Sequence, residues 1–210
     1  MGLAWTSRIG PVARAVLGRQ HARSSLPVAP PRDRSSMSTT ALLATVYDHK
    51  AWADDELLTR LQDLHAPDQA ADRHTAVRLL NHIHVVDRLF EAQLLRQPLP
   101  YSATNTADTP TLEALHAAMR DTDRWYRDYI DTLSTADLGE RLDITFTDGQ
   151  PGCMSREEML MHVALHGSYH RGAVGRILAQ QGIAPPRDLL TGFLHQAQPE
   201  RRQHGGPGRA

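Results

Sequence analysis

Residues 162–172 read HVALHGSYHRG, with His162, His166 and His170 recurring at every fourth position. On an α-helix, residues four apart sit about 40° apart around the axis, so His166 and His170 share a face. Two imidazoles at that spacing can reach one metal ion. His162 lies a further step round, where it is a third ligand, a support for the other two or a surface residue. A tight site needs donors from elsewhere, and LLNHIHVVDRLF, residues 79–90, offers two histidines on different faces. His82 aligns with Leu79, Val86 and Leu89, a face read as inward. His84 aligns with Asn81, Asp87, Arg88 and Glu91, a face read as turned to water. His82 is therefore the residue that can meet His166 and His170 inside a bundle, where facing helices supply metal ligands jointly. Taken singly, a spaced histidine pair is usually solvated, and an inward histidine is usually a satisfied core residue. Their combination points to a metal.

Three histidines leave one coordination position open for water or substrate. A closed structural site usually has four protein ligands, often cysteines, and Cys153 is the one cysteine of the chain. An open site supports two chemistries. The cation can lower the pKa of bound water toward ~7 for hydrolysis, or hold a thiol as its thiolate at neutral pH. Zinc, nickel, iron and cobalt all accept such donors. Arg171 points about 100° away from His170 and reads as a ligand for a substrate carboxylate or for a carboxylate on a neighbouring helix. Tyr169 reads as a hydrogen-bond donor to substrate, or as a core or interface residue. Gly167 costs a helix interior about 1 kcal/mol against alanine, which implies close approach of a helix or ligand, or tight packing continued at Gly172 and Gly175. His49 is expected to face the core or to support a ligand. His21, His65, His74, His116, His195 and His204 are expected at the surface. No catalytic acid or base is identified.

These residues need helices to position them. Apolar spacing predicts helices over about 40–63, 75–97, 110–134 and 156–181. Ser38, Thr39 or Thr40 would cap the first, Pro98 would stop the second, and Thr109 would cap the third ahead of Pro110. The fourth has the clearest borders: the capping box of Ser155 and Glu158, the Met154–Met159 staple, then Gly182 and Pro185-Pro186. Residues 141–153 alternate and contain Asp148-Gly149, which predicts a short hairpin, and 188–196 predict a short last helix. The fold class expected is all-α, a four-helix bundle with a β-hairpin between the third and fourth helices.

The chain has 210 residues and is 40% hydrophobic, which suits one domain. A net charge of −1 argues against a nucleic-acid partner. No apolar run of about 18 residues predicts a membrane span. The lone cysteine fits a reducing, cytoplasmic setting. Residues 1–37 are rich in arginine and proline and hold one acid, Asp33. They read as a disordered or non-native extension, or alternatively as a transit peptide. The domain expected is 38–197, with 198–210 a disordered tail.

Three segments resemble the DinB (damage-inducible) family of metal-binding four-helix proteins. They are LLNHIHVVDRLF at 79–90, HVALHGSYHRGAVGRILAQQGIAPPRDLLTGFL at 162–194 and, more weakly, WADDELL at 52–58. The resemblance covers roughly residues 40–194. It implies a divalent metal, often nickel or zinc, held by His82, His166 and His170, and a frequently dimeric bundle with long crossover connections. Relatives in the wider superfamily are thiol-dependent isomerases and S-transferases using low-molecular-weight thiols, which favours a thiol transferase over a hydrolase. A non-catalytic metal-binding stress protein and a bundle with purely structural histidines are the alternatives. Ala173 and Phe90 depart from the glutamine and tryptophan usual in the family, which bears on substrate contacts and not on the metal.

Overall fold

The computed structural model describes residues 38–205, so the expectations for 1–37, His21 and 206–210 lie outside the described residues. The expected bundle is the observed fold. Its long helices are α1 (Thr39–Leu61), α2 (Ala70–Leu94), α3 (Leu112–Asp131) and α5 (Arg156–Gln180). The short α4 (Thr135–Leu138) and the hairpin β1 (Arg141–Thr145)–β2 (Pro151–Ser155) separate α3 from α5. The helix α6 (Leu190–Ala197) and a 3-10 segment, Pro199–Gly205, follow.

Capping chemistry sets the borders. Ser38 accepts from the Ala41 amide at the start of α1. Ser155 ends β2 and caps α5, with Glu158 reaching back to the Ser155 amide at 2.7 Å. Gly182 at φ 74° closes the far end of α5, its amide bonding to the Ala179 carbonyl. Borders of α2 and α3 differ from expectation. Helix α2 runs from Ala70, five residues early, because a 3-10 turn over Pro67–Gln69 leads directly into it. It stops three residues before the expected Gln97. There Arg96 takes a left-handed conformation, φ 56°, and the Gln97 amide bonds to the Ala92 carbonyl at 2.8 Å. Helix α3 is capped by Thr111, not Thr109, and ends at Asp131; Ser134 instead caps α4.

Helix α1 packs on α3 and α5, and α2 packs on the same two. Consecutive helices α1 and α2 are therefore diagonal partners, and residues 95–111 form a long crossover to α3. The core has two apolar halves. One gathers Leu43, Tyr47, Tyr126, Ile130, Leu160 and Val163 with β1. The other gathers Leu58, Leu61, Leu80, Ile83, Met119 and Val174. Burying each such side chain contributes about 1.5–3 kcal/mol.

Between the halves, every long helix contributes to a layer of charge. Lys50, 1% exposed, places its amine 2.8 Å from Asp54, 2.8 Å from Asp87 and 2.6 Å from Asp123. Arg171, 3% exposed, donates to Asp54 at 3.1 Å and to Asp188 at 2.8 Å. Gly167 belongs to this layer: a Cβ there would stand 3.1 Å from an Arg171 nitrogen and 3.6 Å from the Lys50 stem. Its smallness thus serves close approach of these side chains. Burial opposes the Lys50 charge, and the three carboxylates outweigh it, holding its pKa well above the usual value. Burial pushes Asp87 up to about 7 and Asp123 up to about 6, against the pull of Lys50.

Removing one partner of a buried ion cluster strands the rest, so Lys50→Met is expected to destabilise the fold by about 3–5 kcal/mol in urea unfolding. Asp87 also makes stability fall with pH. Its native pKa lies above the unfolded value of about 3.9, so the folded state keeps a proton that the unfolded state has lost. The wild-type minus Asp87→Asn difference in unfolding free energy should decline from about pH 4 to about pH 7 and then level off. A difference that rises over this window contradicts the assignment.

Candidate metal centre

The face assignment of His82 and the spacing of His166 and His170 bring three imidazoles together between α2 and α5. One ring nitrogen from each lies within 4.8 Å of the others, and all three residues are half-buried. The His82 and His166 rings meet edge-on at 4.9 Å between centroids, and His82 and His170 at 4.7 Å.

The hydrogen bonds assign the tautomers. His82 Nδ1 stands 2.6 Å from the carbonyl oxygen of Thr104, in the crossover. That oxygen only accepts, so Nδ1 carries the proton and Nε2 presents a lone pair. His82 Nε2 faces His166 Nε2 at 3.0 Å. His166 Nδ1 is buried without a partner, so no tautomer of His166 satisfies both its nitrogens from protein groups alone. A cation fits between the facing Nε2 atoms: two nitrogens bonded to one ion at about 2.0–2.1 Å lie roughly 3 Å apart. Burial, with His170 and His82 adding to it, drives His166 down to about 3, and burial lowers His170 and His162 as well. Neutral imidazoles are the form that ligates metals.

The remaining candidates divide. His162 is exposed and lies outside the three-nitrogen group; its ring rests on Phe90 at 4.7 Å and beside His166 at 5.7 Å. Arg171 serves the carboxylates of Asp54 and Asp188, the second of its two expected roles. Tyr169 is 77% exposed with its ring 5.1 Å from His170, so it is no core residue. His49 sits 3.1 Å from Asp188 without hydrogen-bond alignment, packed between Trp52 and Phe193.

Two readings are corrected. The supposed water-facing side of α2 is interior: Asn81, Asp87 and Glu91 are buried, and burial lowers His84 to about 4. Asn81 is satisfied by Thr106 at 2.7 Å and by Asn105, both in the crossover, and Asp87 by Lys50. His116 is not a free surface residue; it meets Asp55 at 2.7 Å. Sequence reasoning also missed the Thr104 carbonyl and the Lys50 layer. The Lys50–Asp54 spacing at i,i+4, inside the apolar stripe of α1, was the available signal for the layer.

A family model described as DinB family matches residues 37–203. A search of curated proteins finds no match.

The low native pKa of His166 has a sign. Below about pH 6.5 the unfolded chain takes up a proton that the native ring refuses, so this contribution to stability is lost as pH falls toward 3. In metal-free protein the His166 ring resonance should stay in its neutral position down to about pH 4. A midpoint near 6.5 by NMR would show that the ring is not buried as described.

Proposed function

The chain belongs to the DinB family, and we propose that its three histidines hold one divalent cation that activates a low-molecular-weight thiol for transfer to a small electrophile. The observation that carries this reading is the convergence of three imidazole nitrogens from two helices, with His82 and His166 on the wall of a cavity. A bound divalent cation would supply a thiolate at neutral pH. The protein does the rest. The Thr104 carbonyl orients His82, burial keeps His166 unprotonated, and the apolar wall beside them limits water. Tyr169, exposed beside His170, would serve as a hydrogen-bond donor for substrate.

Among the described residues no aspartate or glutamate lines the cavity. Metal-assisted hydrolysis commonly uses such a general base, so this favours thiol transfer. Zinc or nickel is the cation proposed, with iron and cobalt compatible. Among the described residues no helix is long and apolar enough to cross a membrane. Action in the cytoplasm as a homodimer completes the proposal. Leu165, 63% exposed on α5, is available for pairing.

Protein purified without a histidine tag should carry about one cation per chain. His82→Ala, His166→Ala and His170→Ala should each lose it, with melting temperatures close to that of the metal-free wild type. Full occupancy in all three variants refutes the centre. Occupancy without thiol consumption, across a panel of electrophiles, would leave a binding protein in place of a transferase.

A further inference from the structure

A cavity of about 240 Å³ lies between α2, α5 and the hairpin, with His82, His162 and His166 along one side. Phe90, Leu99 and Phe146 make up much of the remaining wall. Two of its polar groups are already engaged: Gln93 donates to the Thr145 carbonyl at 2.6 Å, and the Thr104 carbonyl serves His82. Among the described residues no lysine, arginine, aspartate or glutamate lines it. In the metal-free protein a charged group entering it would lose its water and find no lysine, arginine or carboxylate to pair with.

The hairpin shapes this space through one glycine. Gly152 pairs with Ile144 across the ladder. A Cβ at 152 would fall 2.8 Å from the edge of the Phe146 ring and 3.1 Å from the Ile144 side chain, both of them cavity residues. The bare backbone of Gly152 is therefore what lets Phe146, 47% exposed, lie against the strand and wall the cavity. The Gln93–Thr145 bond holds the first strand, β1, to α2.

We propose that this cavity is the acceptor pocket of the histidine centre, that its ligand is a neutral, largely apolar molecule, and that Phe146 and Gly152 determine that specificity. The body of the ligand rests against Phe90 and Phe146, with its reactive carbon toward His82 and His166. Its role as the acceptor pocket rests on the proposed thiol transfer; its preference for a neutral, apolar ligand does not. In that transfer the thiol sulfur forms the new bond to carbon. The leaving group departs with the electrons of the broken bond, and the thiol proton passes to solvent. Charged parts of the thiol stay outside the cavity.

The test uses three naphthalenes of matched shape, titrated calorimetrically into the full chain with and without metal: neutral 2-naphthalenemethanol, anionic 2-naphthoate and cationic 2-naphthylmethylammonium. In the metal-free protein the neutral compound should bind at least about ten-fold more tightly than either ion. Gly152→Val, which displaces the ring, and Phe146→Ala, which removes it without adding bulk, should each weaken it about five-fold or more. Both should leave metal stoichiometry unchanged. Equal binding of the ions, no binding of the neutral compound, or full affinity in Phe146→Ala overturns the proposal. The measurement needs no metal, so a failure of the metal reading leaves its outcome separate.

Discussion

A lysine amine that is 1% exposed must find carboxylates or lose its charge, and the rest of this bundle is arranged around that requirement. Asp54 on α1, Asp87 on α2 and Asp123 on α3 reach Lys50, while Arg171 on α5 joins through Asp54. Apolar packing tolerates small slides of one helix along another; short charged hydrogen bonds do not. The layer therefore fixes the axial position of each helix. The histidines inherit that position. His166 precedes Gly167 and His170 precedes Arg171, so on α5 each candidate ligand is the sequence neighbour of a residue in the layer. Sliding α5 by one turn would part Arg171 from Asp54 and the imidazoles from His82 in the same movement.

The hairpin links the cavity to this frame. Its second strand ends in Ser155, the residue that caps α5. The wall holding Phe146 and the helix holding two donors are thus continuous through one capping box, while Gln93 ties the other strand to α2. Helices set the nitrogens and the hairpin sets the volume beside them.

Much of this was legible in sequence because it is local. Periodicity finds the helices, capping residues find both ends of α5, and the i,i+4 interval pairs His166 with His170. His82 rather than His84 is the α2 histidine beside His166 and His170, although half of the premise that selected it failed. Asn81, Asp87 and Glu91 look like a solvated face because polarity in a pattern usually marks water. Here the diagonal placement of α1 and α2, with the crossover laid against α2, surrounds that helix, and Asn81 and Asp87 find partners far along the chain, while Glu91 pairs with Arg88 one turn away. No local pattern distinguishes a charge bonded at distant sequence positions from a charge in water. The stop at Arg96 was hidden for a related reason: a left-handed residue usually advertises itself as glycine, and this one does not.

The bond from His82 to the Thr104 carbonyl leaves no trace in composition, since every residue type carries the same main-chain oxygen. It also makes the crossover part of the centre's thermodynamics. Whatever free energy an ordered crossover lends to holding His82 for a cation, a cation returns to the ordering of residues 95–111, because linkage between two equilibria is reciprocal. Protease resistance of that connection and occupancy of the histidines are then two readouts of a single coupling. Drift in the side chain at position 104 can proceed under it without altering the bond.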